Sequence, residues 1–157
     1  MELGHTLIEN TTAHQAGRAL LARMYESRFG KPMPPIKISP LGKPFFPDGC
    51  AHFSISHTGS HVFCALSDRP VGIDAEELDR KIRPSLAEKI LSPAEKLRYD
   101  QCGDKTAALL RFWVLKEAQG KCTGQGLKIW PTHTDFSPED PRITISHGCV
   151  LAVIQEE

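Results

Sequence analysis

The six residues Val71-Gly72-Ile73-Asp74-Ala75-Glu76 constrain the fold more than any other stretch of this chain. They read as a short buried strand, and because strand side chains alternate between faces, Asp74 and Glu76 must share one face. Two carboxylates crowded at one spot call for a neutralising cation, and an all-oxygen pair suits Mg²⁺ better than zinc. Forty residues on, Phe112-Trp113-Val114-Leu115-Lys116-Glu117-Ala118-Gln119-Gly120-Lys121 reads as helix. Residues four apart are neighbours on a helix, so Trp113, Glu117 and Lys121 form one row and bring a third carboxylate beside an amine. The plain alternative is a solvated strand edge and a surface Glu–Lys helix pair worth roughly 0.2–0.5 kcal/mol.

The rest of the chain sets the limits. With 157 residues, 40% hydrophobic and 24% charged, it has the make-up of a soluble globular protein with one sizeable core, expected to fold as one domain. Zero net charge argues against a general nucleic-acid or membrane-surface binder. Residues 1–70 carry seven Lys/Arg against five Asp/Glu, plus five His, whereas residues 71–157 carry twelve against fourteen. The first part suits an anion and the second a metal. Cys50, Cys64, Cys102, Cys122 and Cys149 are odd in number and lack Cys-x-x-Cys spacing, so neither a disulfide framework nor a zinc site is indicated. The N-terminus does not read as a signal peptide and no apolar run approaches a membrane span, so a cytoplasmic location is expected.

In chain order, Thr11 or Thr12 caps a helix running to about Phe29, with Ala16, Leu20, Met24 and Leu21 on its apolar side and Gly30 ending it. Ile36-Lys37-Ile38-Ser39 alternates as a strand, and Leu41-Gly42-Lys43-Pro44-Phe45 makes a turn that exposes Lys43; a solvated turn is the plain reading of that lysine. His52-Phe53-Ser54-Ile55-Ser56-His57-Thr58-Gly59 and Val62 to Leu66 form a hairpin, with Ser54 and Ser56 on one face. The same outline recurs as Ile143-Thr144-Ile145-Ser146-His147-Gly148 followed by Val150 to Ile154, as if two halves end in one hairpin. Between them, a helix begins at Pro84 with Leu86, Ile90 and Leu91 apolar. Ser92-Pro93-Ala94-Glu95 is a capping box, sufficient by itself to account for Ser92 and Glu95. Asp104 caps the long helix to Lys121, with Ala108, Leu109, Phe112 and Leu115 buried and Gly124-Gln125-Gly126-Leu127 ending it; Pro131 to Pro141 is a polar loop.

Gly-Ile-Asp-Ala-Glu followed by Trp-Val-Leu-Lys-Glu-Ala-Gln-Gly-Lys resembles the two signature motifs of the phosphopantetheinyl transferases, in particular the surfactin-type branch. Gly42-Lys43-Pro44 and Phe53-Ser54-Ile55-Ser56-His57-Thr58 resemble the family's two upstream motifs, in the same order and spacing. The similarity covers roughly residues 13–154. It implies an α+β phosphopantetheinyl transferase fold, a pseudo-dimer of two α+β subdomains with coenzyme A in the cleft between them, here a shortened first half at 1–70 and a second half with the metal site at 71–157. It further implies a Mg²⁺-dependent enzyme that transfers 4'-phosphopantetheine from coenzyme A to a serine of an apo acyl or peptidyl carrier protein and releases adenosine 3',5'-bisphosphate. By the same resemblance, Asp74, Glu76 and Glu117 hold Mg²⁺, Glu117 or a water it orients takes the serine proton, and Lys121 offsets phosphate charge. Lys43, Ser56 and His57 grip the nucleotide end, and Glu95 is a further candidate.

The chain also departs from the family. Typical surfactin-type members run several tens of residues further at the N-terminus, whereas this sequence reads as starting almost directly at the first helix. Ala13-His14 is followed by Gln15, with Arg18 nearly one turn beyond the place where the family often has arginine. A sheet edge left open near Ile36–Ser39 is either blocked by Pro34, Pro35, Lys37 and Pro40 in a monomer or paired in a homodimer. A coenzyme-A- or carrier-binding relic would keep the fold and lose the carboxylates, and a metal-dependent nuclease would show a basic track.

Overall fold

The computed structural model of the chain describes residues 1–125 and 134–156. Strand β1 (Glu2–Leu7) precedes helix α1 (Ala13–Phe29); β2 (Lys37–Ile38) and β3 (Pro44–Phe45) form a small ribbon; and β4 (His52–Thr58), β5 (His61–Ser67) and β6 (Val71–Glu77) follow. A 3-10 turn at Pro84–Leu86 runs into α2 (Ala87–Ile90), followed by α3 (Pro93–Gln101), α4 (Lys105–Thr123) and the hairpin β7 (Ile143–Ser146) and β8 (Cys149–Gln155). One antiparallel sheet has the order β1-β5-β4 and a second the order β6-β8-β7. Each sheet carries a long helix on its outer face. Ala16, Leu20, Leu21 and Tyr25 of α1 bury against Phe53, Val62, Cys64 and Leu66, and Leu109, Phe112 and Leu115 of α4 share a core with Val150, Ala152 and Ile154. Between the sheets, Phe63 and Ala65 of β5 meet Ile73, Ala75 and Leu151. Among the described residues no helix is long and apolar enough to cross a membrane.

Most elements sit where their sequence signals put them. Thr12 caps α1 through a capping box with Gln15, and Gly30 closes it at φ 64°. Asp104 accepts from the Ala107 amide at the start of α4, and Gly124 ends that helix at φ 74°, in the left-handed region that favours glycine. Gly72 has a different reason to be glycine: a Cβ there would stand 1.9 Å from the Ala118 carbonyl oxygen, so only glycine lets α4 lie this close on β6.

Three expectations need correction. The chain does not begin at its first helix, because β1 pairs along its whole length with β5, from Glu2 opposite Leu66 to Leu7 opposite His61. Its pattern of exposed and half-buried residues is that of an edge strand, without a clean two-residue alternation to announce it. The strand at Ile36–Ser39 shrinks to Lys37–Ile38 and pairs with β3 rather than bordering a main sheet. The helix expected from Pro84 is split into a 3-10 turn and the single turn α2. Gly126, Leu127 and the start of the Pro131–Pro141 loop lie outside the described residues.

Candidate active site

The two sheets meet where β4 runs beside β6, and side chains rather than a backbone ladder join them. Ser54 Oγ accepts from the Ile73 amide at 3.1 Å, Ser56 Oγ from the Ala75 amide at 3.2 Å and Thr58 Oγ1 from the Glu77 amide at 3.4 Å. The period-two spacing of these hydroxyls matches that of the amides they receive. Two of them also donate onward: Ser56 to Asp74 Oδ1 at 2.9 Å and Thr58 to Glu76 Oε2 at 3.1 Å. The seam between the sheets is therefore also what orients the two carboxylates.

Helix α4 supplies the opposite wall. Trp113 Nε1 donates to Glu76 Oε1 at 3.2 Å, and Lys121 Nζ donates to Asp74 Oδ1 at 2.7 Å and to the Ile73 carbonyl at 3.1 Å. The row Trp113, Glu117, Lys121 thus faces β6, as the four-residue spacing requires. Half-buried between the other two, Glu117 has its carboxyl pushed up to about 7, first by burial and then by the charge of Asp74, while Lys121 and Arg80 act in the opposite direction. Arg80, three residues beyond β6, pairs with Glu76 and lies 5.9 Å over the Trp113 ring.

Asp74 Oδ2 is buried and has no hydrogen-bond partner among the described residues. An orphaned carboxylate oxygen in a protein interior is costly unless a proton or cation completes it. The donors around it, Asp74, Glu76 and Glu117, are all oxygen, which fits Mg²⁺. No group of three or more His, Cys, Asp or Glu among the described residues is already gathered so that it could hold a metal. Each strand carboxylate already has a cationic partner, Lys121 on Asp74 and Arg80 on Glu76.

The upstream residues are dispersed. Lys43 is not a solvated turn: its Nζ reaches the Cys122 carbonyl near the end of α4 at 2.5 Å, its stem lies against Gly124, and burial lowers its pKa. It lines a cleft of about 270 Å³ with Leu41, Phe53, Ser54, Gly120 and Lys121, so the cleft runs from the β2–β3 hairpin to the carboxylate niche. Ser56 is committed to Asp74 and Ala75. His57 leaves β4 on the opposite face and is exposed. Glu95 is more than a cap: fully buried, it accepts from the Ser92 and Phe136 amides and pairs with the equally buried Lys116 at 2.8 Å.

A sequence model described as the 4'-phosphopantetheinyl transferase superfamily matches residues 70–149, from the start of β6 to the start of β8. The chain belongs to this superfamily. Among its curated relatives, the 4'-phosphopantetheinyl transferase Sfp of Bacillus subtilis (strain 168) is 36% identical over 91 residues, covering 56% of this chain and 40% of the relative. The 4'-phosphopantetheinyl transferase HetI of Nostoc sp. is 35% identical over 126 residues, 74% of this chain and 48% of the relative. Enterobactin synthase component D of Escherichia coli O157:H7 is 34% identical over 104 residues, 65% and 48% respectively. The chain thus matches less than half the length of each of these phosphopantetheinyl transferases. The superfamily match contains Asp74, Glu76, Arg80, Glu95, Lys116, Glu117 and Lys121, whereas Lys43, Ser56 and His57 lie before it.

The sequence names Asp74, Glu76, Glu117 and Lys121, which the structure gathers at one niche, but gives no sign of what holds them. Lys116 could have been found, because it lies four residues from Phe112 and seven from Leu109 on the buried stripe, where a lysine needs a carboxylate partner. Nothing local marks Ser56 and Thr58 as partners of Asp74 and Glu76, since that contact depends on how the sheets meet.

Proposed function

We propose that the chain is one phosphopantetheinyl transferase domain, a pseudo-dimer of halves 1–70 and 71–157. It moves the 4'-phosphopantetheine group of coenzyme A onto a serine of an apo acyl or peptidyl carrier protein. The observation that carries this reading is the orphaned Asp74 Oδ2, set in a niche with Glu76, Glu117 and Lys121 at the end of an open cleft. Transfer of this kind depends on positioning and charge neutralisation more than on a protein nucleophile.

In this reading Asp74, Glu76 and Glu117 hold Mg²⁺. A divalent cation bound there supplies charge neutralisation on the pyrophosphate oxygens. Glu117 accepts the proton of the acceptor serine, with its carboxyl set between β6 and the Lys121 end of α4. The serine oxygen bonds to the phosphorus on the pantetheine side, the bond from that phosphorus to the bridging oxygen breaks, and adenosine 3',5'-bisphosphate departs. Lys121 offsets negative charge on the phosphate oxygens. Ser56 and Thr58 fix the carboxylate orientations, and Lys43 and His57 serve the nucleotide end. Mass spectrometry of apo carrier proteins incubated with the chain, coenzyme A and Mg²⁺ tests the reading: one carrier gains a single phosphopantetheine, and a panel of carriers without any gain overturns it.

A further inference from the structure

Arg80 occupies the place from which Glu76 would have to be released before it could serve a cation. Glu76 Oε1 receives both the Arg80 guanidinium and Trp113 Nε1, and Oε2 receives the Thr58 hydroxyl. Asp74, in contrast, takes Lys121 and Ser56 on Oδ1 alone and leaves Oδ2 open. One carboxylate therefore has an oxygen ready for a cation, while the other has both oxygens engaged.

The two cations are also held differently. Lys121 is tied at two points, to Asp74 and to the Ile73 carbonyl, and its side chain is 31% exposed. Arg80 is 44% exposed, and on its solvent side opens a cleft of about 360 Å³ lined by Lys81, Ile82, Arg83, Leu86, Lys89 and Trp113. A guanidinium that lets go of Glu76 passes into water and is not left buried without a partner, so its departure carries no large desolvation penalty. Glu76, at 8% exposure, gives up that partner only if another positive charge replaces it.

We propose that Arg80 is the resident counter-ion of Glu76. It neutralises the carboxylate while the niche holds no divalent cation, and it must withdraw when one binds. Arg80 is thus a positioning residue that sets the affinity of the niche for its cation. The inference rests on Glu76 being a metal ligand.

Calorimetric titration of Mg²⁺ into the full chain tests it without reference to turnover. Arg80→Ala binds Mg²⁺ roughly two- to fivefold more tightly than the wild type, the range spanned by ion pairs with an exposed partner. Lys81→Ala, which removes the same charge from the same cleft, changes affinity by less than about twofold, because charge at that distance in water is screened. In the wild type, the Arg80 side-chain Nε–H resonance shifts along the same Mg²⁺ titration. Unchanged or weaker binding in Arg80→Ala, an equal gain in Lys81→Ala, or an Arg80 resonance that stays still each overturns the inference alone. A wild type that binds no Mg²⁺, or Glu76→Gln binding as the wild type does, overturns the proposed metal site and this inference with it.

Discussion

Lys116 Nζ lies 2.8 Å from Glu95 Oε2, with both side chains fully out of contact with solvent, and the next residue along the helix is Glu117. The pair anchors α4 to the start of α3 one peptide away from the candidate base. Taking two charges out of water is repaid only when both are well hydrogen-bonded, and Glu95 satisfies that with two backbone amides besides the lysine.

Lys116→Met removes one partner and strands a buried carboxylate. The chain loses about 3–5 kcal/mol of stability, the scale for breaking a buried pair from one side. Urea denaturation measures it, and a loss below about 1 kcal/mol contradicts the role assigned to the pair.

Glu117→Gln keeps size and fold and removes the proposed proton acceptor. Turnover falls on the order of a hundredfold or more, the contribution typical of a positioned general base. The melting temperature stays close to that of the wild type, so activity within a few-fold of wild type removes Glu117 from the mechanism.

Asp74→Asn and Lys43→Ala separate the two ends of the cleft. Asp74→Asn shifts the dependence of activity on Mg²⁺ to higher concentration, because it alters the carboxylate bearing the open oxygen. Lys43→Ala raises the KM for coenzyme A and leaves the metal titration in place, because Lys43 lines the cleft at the far end of α4. Identical metal curves for the two variants refute this division.

Much of the fold is legible in the sequence because local chemistry decides it. The Thr12 and Asp104 caps, the Gly30 and Gly124 terminators, the Ser92–Glu95 box and the two hairpins each depend on a few adjacent residues, and the structure has them. The row Trp113, Glu117, Lys121 was readable from helical spacing, and it faces the strand bearing Asp74 and Glu76. What was not readable depends on distant surfaces meeting. β1 takes its place from β5 rather than from its own pattern, Lys43 crosses to the Cys122 carbonyl from 79 residues away, and Ser56 finds Asp74 only because the sheets abut. The capping box accounts for Glu95 locally and so gives no sign of Lys116, its buried partner.

His5, His61 and His147 form a stacked group across β1 and the tips of the two hairpins. His5 Nε2 is 3.0 Å from His61 Nδ1, and the His5 ring lies 3.7 Å from that of His147. Burial, followed by the charges of His147 and His61, lowers the pKa of His5 below 6.5. The unfolded chain therefore binds a proton at His5 more readily than the folded chain. The resulting stability is present above about pH 6.5 and is lost as pH falls through the lowered value. Thermal melts of wild type and His5→Phe between about pH 7.5 and 5.5 check this: the wild type loses more stability on acidification than the variant does, and parallel curves contradict the sign.

The hydroxyl seam between β4 and β6 has a consequence for the behaviour of the protein in a crowded solution. Backbone amides along a strand edge are sites where a foreign strand can add, and the amides of Ile73, Ala75 and Glu77 would form such a site. Ser54, Ser56 and Thr58 occupy all three, and the Lys121 ammonium occupies the Ile73 carbonyl between them. The residues that aim the carboxylates therefore also keep this edge closed to other chains. Aggregation and loss of chemistry become linked faults at these positions, and a variant that opens the seam would be recognised first by its insolubility.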